Sequence, residues 1–271
     1  YILMRILFLG DIIGLSGCSN VEQHLPKHIK KNKIDFVIVN GENCAERGTG
    51  ITEKIANNLF NSGVNVITSG NHIWDQKETA THIEKEDRLL RPLNSFAPTP
   101  GKGFQIYTLN NGLKIGVLNL MGNIFMKKSK NVFKVAKKFI ENNSLKNDYD
   151  FLVLDFHAET SAEKMSMGHF FDGRATLVVG THTHVPTNDA RILENGTAYI
   201  TDAGMSGNYN SVMGYDKNIF IKKFLKEGVQ KNFPLPNNIS LCGVIVEADL
   251  STGLAKNIKS FVYGGELKNS I

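Results

Sequence analysis

The stretch "DFLVLDFHAETSAEKMSMGHFFDGRATLVVGTHTH", residues 150–184, places two apolar runs on either side of a helix-like segment and ends each run in histidine. The runs are rich in Val, Leu and Phe and nearly continuous, as expected of strands covered on both faces. The same pattern extends outward in both directions. "RILFLGD" (5–11), "IDFVIVNGEN" (34–43), "VNVITSGNH" (64–72), "LKIGVLNL" (113–120) and "TAYITDAG" (197–204) all read as strands. Helix-like segments lie between them: 52–62, with Thr52 as a capping residue and Gly63 as its end, and 75–87, opened by Asp75. Such alternation predicts an α/β fold with layered sheets. The tail, 238–266, is β-rich, with "ISLCGVIVEADL" and "AKNIKSFVYG" forming an antiparallel pair. No repeat, low-complexity tract or proline-rich linker divides the chain, so residues 1–271 are read as one domain. Met4 is read as the natural start, and the three residues before it are left out of the fold argument.

Composition narrows the functional classes. With 41% hydrophobic residues the chain can bury a substantial core. Its longest apolar runs fall far short of the roughly 18 residues that span a bilayer, so no membrane partner is expected. Cys18, Cys44 and Cys242 are odd in number, widely spaced and free of any CxxC. That pattern fits a reducing, cytoplasmic compartment better than a disulfide framework or a thiolate metal site. The net charge of +5 favours anionic partners, with phosphate compounds and nucleic acid both open.

Functional groups in α/β sheets gather at the carboxyl ends of strands. The residues that follow the apolar runs are Asp11, then Glu42 with Asn43, then Asn71 with His72, then His157, then His182 with His184. Carboxylate, amide oxygen and imidazole without thiolate suit Mn, Fe, Mg or Zn. These metal-ligand or proton-transfer candidates exceed what one tetrahedral ion needs, so two metals sharing Glu42 are expected. Such a pair stabilises both the attacking and the leaving oxygen of a displacement at phosphorus. In "GTHTH", alternation along an extended segment would point His182 and His184 the same way, with Thr183 opposite. Gly70 and Gly180 precede their motifs either for close backbone approach or as ordinary turn residues.

"GD" (10–11), "NGEN" (40–43), "GNHIWD" (70–75), "FHAE" (156–159) and "GTHTH" (180–184) together resemble the calcineurin-like metallophosphoesterase superfamily. More closely, they resemble its bacterial branch of 2′,3′-cyclic-nucleotide 2′-phosphodiesterases. The likeness runs nearly the whole chain, from "MRILFLGDIIG" through "GTAYITDAGMSG". Where the wider superfamily has D-x-H and an aspartate, Ile13 and Glu42 stand here, as in the branch. The resemblance implies a four-layer sandwich of two packed mixed sheets flanked by helices. It implies two divalent or trivalent metal ions (Fe, Mn or Mg), with Asp11, Asn43 and His184 on one and Asn71, His157 and His182 on the other. Glu42 would bridge them. It further implies a metal-bridging hydroxide as nucleophile and His72 as proton donor to the leaving oxygen, so that a 2′,3′-cyclic nucleotide opens to a 3′-nucleotide. A broad phosphomonoesterase, a phosphatase on protein or RNA ends, and a non-catalytic RNA-binding regulator are the alternatives.

Other signals read as structural. His24 and His28 flank Pro26 and are taken as surface histidines; His82 and His169 are taken as packed or solvated. "GDIIGLSG" (10–17) lacks the endings of a phosphate loop. In "MKKSKNVFKVAKKF" (126–139), Lys127, Lys130, Lys134, Lys137 and Lys138 share one helical face, with Phe133, Ala136 and Phe139 nearer the other. That face is solvated or offered to RNA. Asp75 and Glu159, close behind motif histidines, either orient them or cap helices. Self-association is left open.

Overall fold

The computed structural model describes residues 3–96, 98–228 and 230–270. Elements are numbered in chain order: β1 (Leu3–Leu9), β2 (Asp11–Ile12), α1 (Gly14–Asn32), β3 (Phe36–Asn40), α2 (Glu53–Asn61), β4 (Val66–Thr68), α3 (Thr79–Ile83), β5 (Phe104–Thr108), β6 (Lys114–Met121), α4 (Val132–Asn142), β7 (Phe151–His157), α5 (Ser161–Phe170), β8 (Leu177–Thr181), β9 (Arg191–Ile192), β10 (Ala198–Ile200), β11 (Met205–Asn208), α6 (Lys217–Phe224), β12 (Ile239–Asp249) and β13 (Ala255–Tyr263). One sheet has the order β2-β11-β12-β1-β3-β4, with β13 beside β12; the other runs β5-β6-β7-β8-β10-β9. Both are mixed. β1, β3 and β4 are parallel while β12 runs against β1; β6, β7, β8 and β10 are parallel while β5 and β9 run against their neighbours.

The continuous apolar runs follow from layering. Along β1, Ile6 and Phe8 point into the layer between the sheets, where they join Val153 and Val179. Leu7 and Leu9 point the other way, onto Val21 and Leu25 of α1 and Leu59 of α2. In β7, Phe151 and Val153 face the inter-sheet layer, and Leu152, Leu154 and Phe156 face Ala136 of α4 and Met167 of α5. Helix, sheet, sheet, helix is the four-layer order the motifs imply, and a central strand in it has no solvated face.

Local signals hold in part. Thr52 Oγ1 accepts the Ile55 N–H at the start of α2, and β12 and β13 form the antiparallel pair at the tail. Tyr1 and Ile2 lie outside the described residues, but Leu3 opens β1 opposite Asp249. The helix read over 75–87 shrinks to α3, which Glu78 precedes without a side-chain cap, because Asp75, its expected opening residue, is engaged by His72. α1 runs straight through Pro26, and His28 is buried on it, its ring 4.4 Å from that of Tyr263 and 5.0 Å from that of Phe261. His28 is thus a core residue where a surface one was expected. The lysine face is also divided: α4 begins at Val132, so Lys127 and Lys130 lie on the preceding loop. Among the described residues no helix is long and apolar enough to cross a membrane.

Candidate metal centre

The carboxyl ends of β1, β3 and β4 in one sheet and of β7 and β8 in the other meet over one buried hollow. Asp11 and His157 are fully buried there, and Glu42, Asn43 and His184 nearly so. Oxygen and nitrogen atoms of Glu42, His157 and His182 all lie within 4.8 Å of one another. His157 Nε2 is the focus: Glu42 Oε1 stands 3.0 Å away, Asn71 Oδ1 3.1 Å and His182 Nδ1 3.0 Å.

Hydrogen bonds at the far side of each ring set which atoms are free. His182 Nε2 is 3.0 Å from the Glu159 carboxylate, which can only accept while ionised, so the neutral ring turns a bare Nδ1 toward His157. His184 Nδ1 lies 3.3 Å from the Met213 carbonyl, so its Nε2 is the bare nitrogen, 4.0 Å from Asp11 Oδ1. Asp11 Oδ2 accepts the His182 N–H at 3.1 Å, whereas Asp11 Oδ1 is buried with no donor among the described residues. Asn43 donates its amide to Gly48 O at 2.8 Å, leaving Asn43 Oδ1 equally orphaned.

This arrangement fits cations. Three acceptors crowd one imidazole nitrogen that carries at most one proton, and two buried oxygens have no donor, each an expensive state unless a cation completes it. Metal bonds of about 2.1 Å at right angles put neighbouring ligand atoms about 3.0 Å apart, which is the spacing around His157 Nε2. The backbone makes room for this crowding: a Cβ on Gly70 would collide with His157 and with Glu42 Oε2, and one on Gly180 with the Thr201 carbonyl. Neither glycine has a positive φ, so both serve close approach rather than a turn.

Electrostatics follow from the same contacts. Burial pushes the His157 imidazole down, but Glu42 and Asp11 beside it push harder and hold it up at about 9. Burial pushes the Glu42 carboxyl up, yet His157 and the His72 amide pull it down to about 2. Burial, only partly offset by His157, lifts Asp11 to about 8. Burial next to the His157 charge drops His182 to about 3. In the metal-free protein a proton therefore sits on His157 Nε2, at the point where the acceptors converge. His157 is raised above its ordinary 6.5, so its contribution to stability is complete below that pH and is lost as pH rises through about 9. Glu42 is depressed, so its contribution is present above 4.5 and lost as pH falls through about 2. Denaturant melts of metal-free protein are expected to show a maximum from this pair between pH 4.5 and 6.5. Metal-loaded protein, which lacks the Nε2 proton, should not show the alkaline decline.

The expected alternation of "GTHTH" gives way to a tighter geometry. β8 ends at Thr181, and His182 and His184 have φ of 102° and 65°. For non-glycine residues such values are strained and need enforcement. Asp202 supplies it: its Oδ2 accepts from Thr183 N (3.1 Å), Thr183 Oγ1 (2.7 Å) and Lys164 Nζ (2.7 Å). Lys164 and Asp202 are both buried. Removing one partner of a buried ion pair strands the other charge. Asp202→Ala is expected to cost about 3–5 kcal/mol by that principle, read as a lowered urea midpoint, with metal affinity falling as the His182–His184 turn relaxes.

Three further groups were not read as part of the site in the sequence. Asp155 Oδ1 accepts from Thr181 Oγ1 at 2.7 Å, and Thr181 Oγ1 in turn lies 2.9 Å from His157 Nδ1, so the pair orients the His157 ring. The signal was visible, since Asp155 is an acid inside an otherwise apolar strand and shares the parity of His157. Asp202 follows the apolar run Ala198–Ile200 much as Asp11 follows β1, so the strand-end pattern could have found it. Lys127, read as part of a helical face, instead reaches the Asn71 carbonyl at 2.6 Å and Asp75 Oδ1 at 3.4 Å. Asp75 and Glu159 both contact histidines, at 2.7 Å from His72 Nδ1 and 3.0 Å from His182 Nε2, and neither caps a helix.

Two mixed sheets whose strand ends gather carboxylates, amides and imidazoles in one hollow are the architecture of the calcineurin-like metallophosphoesterases. The family model described as YmdB-like protein matches residues 7–261, and the chain belongs to that family. It is 44% identical over 257 residues to the 2′,3′-cyclic-nucleotide 2′-phosphodiesterase of Bacillus subtilis (strain 168), covering 94% of this chain and 96% of that protein. It is 41% identical over 258 residues to a putative phosphatase/phosphodiesterase of Mycoplasma pneumoniae, covering 92% and 89%. The crystal structure of a novel phosphatase from Mycoplasma pneumoniae superposes with a TM-score of 0.90 at 35% identity, over 98% of this chain and 95% of that one.

Proposed function

We propose that this chain is a metal-dependent phosphodiesterase that opens 2′,3′-cyclic nucleotides to 3′-nucleotides. The observation that carries the reading is the convergence of Glu42, Asn71 and His182 on His157 Nε2, beside the donorless oxygens of Asp11 and Asn43. The substrate class is supported by the 44% identity to the Bacillus subtilis enzyme.

Asn71, His157 and His182 would hold one ion, Asp11, Asn43 and His184 a second, and Glu42 both. Bound metals supply Lewis-acid activation of water and neutralise charge that develops on the phosphoryl group. The chain's own residues do the rest. Glu42 Oε2 accepts the His72 N–H at 3.1 Å, which seats His72 at the rim of the hollow, about a third exposed. Asp75 accepts from His72 Nδ1 at 2.7 Å and fixes the ring, leaving Nε2 as the group that passes a proton to the departing O2′. The Asp155–Thr181 pair keeps His157 Nδ1 occupied as a donor, so Nε2 stays directed at the centre. Water oxygen becomes bonded to phosphorus, the bond from phosphorus to O2′ breaks, and the product is the 3′-nucleotide.

The test is hydrolysis of 2′,3′-cyclic AMP by purified protein with and without Mn²⁺ and after chelation, with the product isomer identified. Metal-dependent release of 3′-AMP is expected. Release of 2′-AMP, or turnover of p-nitrophenyl phosphate with none of the cyclic diester, overturns the assignment.

A further inference from the structure

The loop between β6 and α4 carries a residue that the catalytic scheme does not use. Phe125 is 88% exposed, the most exposed large hydrophobic side chain among the described residues, and its φ is 59°. A bulky residue in the left-handed region is strained, and an aromatic ring in water forgoes burial, so two costs meet at one position.

The loop is nevertheless firmly held. Glu163 accepts the Asn123 and Ile124 N–H groups at 2.9 and 3.2 Å, and Asn123 Oδ1 accepts the Val132 N–H at 2.8 Å, closing the loop at its base. It is tied at two points to the backbone of the proposed ligands His157 and Asn71. Gly122 N donates to the His157 carbonyl at 3.0 Å, and Lys127 Nζ donates to the Asn71 carbonyl at 2.6 Å. Phe125 lies three residues after the first anchor and two before the second. At no more than about 3.6 Å per residue, its Cα is within about 11 Å of Gly122 and about 7 Å of Lys127. A braced, strained, solvent-facing aromatic thus sits on a loop tied, on either side of it in sequence, to the backbone of the proposed ligands His157 and Asn71.

We infer that Phe125 is a base-stacking platform, on which the nucleobase of the substrate lies while its phosphate occupies the centre. The inference rests on the proposed reaction and names what in the substrate this chain recognises. Stacking on a ring face is tolerant of sequence, because every base has a π-face, and it favours the larger purines.

Phe125→Gly and Phe125→Trp distinguish this reading from a structural one. Glycine relieves the positive φ, so melting temperature should be equal or higher than wild type. Its affinity for 3′-AMP, measured by calorimetry, should fall about 5- to 150-fold, whereas tryptophan should match or exceed wild type. In turnover, the ratio of kcat/KM for 2′,3′-cyclic AMP to that for the baseless methyl riboside 2,3-cyclic phosphate should fall by the same factor, through KM. An active wild type whose Phe125→Gly variant keeps that ratio overturns the platform alone. So does an equal loss on both substrates, or a changed oligomeric state in the variant. A metal-loaded wild type that turns over neither cyclic phosphate, yet binds 3′-AMP in a Phe125-dependent way, sinks the proposed reaction and leaves the platform standing.

Discussion

Alanine at position 42 is expected to leave less than one metal ion per chain and to abolish phosphodiester turnover. Both oxygens of Glu42 are engaged at the site, with Oε1 at 3.0 Å from His157 Nε2 and Oε2 accepting from the His72 backbone. Its loss has a second effect in metal-free protein. The His157 charge would remain buried without its partner, at a cost of about 3–5 kcal/mol. Glu42→Gln keeps the shape of the side chain and removes the charge, so it separates failure to bind metal from failure to fold. Elemental analysis and urea melts of both variants make the check. Two ions per chain and normal turnover in Glu42→Ala would remove the carboxylate from the ligand set.

Replacing His72 by alanine should act differently. Turnover falls by about 10²–10⁴, the usual worth of a positioned proton donor, while metal content stays at the wild-type level. The reason lies in the geometry: the His72 side chain bonds Asp75, and only its backbone N–H reaches the Glu42 carboxylate. That backbone contact survives the substitution. Loss of bound metal in the variant would instead make the ring a ligand. Asp75→Asn, which loosens the ring without removing it, should give a smaller loss of kcat with KM little changed.

Much of this architecture was legible in the residues, because burial on both faces writes long apolar runs. The runs of β1, β3, β4, β6, β7, β8 and β10 are such strands, and the groups after them lead directly to Asp11, Glu42, Asn71, His157 and His182. β5 was missed because Phe104–Thr108 is only partly buried and alternates weakly. The two-residue strands β2 and β9 are too short to carry a pattern. The path of "GTHTH" was misread for a different reason. Period-two alternation presumes extended backbone, and the positive φ of His182 and His184 is enforced by Asp202, a residue 18 to 20 positions away that local sequence cannot connect to it. Lys127 escaped for a similar reason, as its amphipathic pattern continued past the true start of α4 at Val132.

Asp11, Glu42, Asn43 and Asn71 belong to one sheet, and His157, His182 and His184 to the other. The pairs that meet are far apart along the chain, 86 residues for Asn71 and His157 and 171 for the Asp11 contact with His182. An ion bound by both groups ties two layers that otherwise adhere through apolar packing and a few buried hydrogen bonds, among them Asn40 and Thr68 to Asp155 and Ser69 to Asn119. It can be captured only after the layers have docked in register, so its retention reports correct assembly. Chelation should accordingly let the two halves exchange amide hydrogens at separate rates where the loaded protein opens as one unit. The cofactor of the chemistry then also serves as the last inspection of the fold.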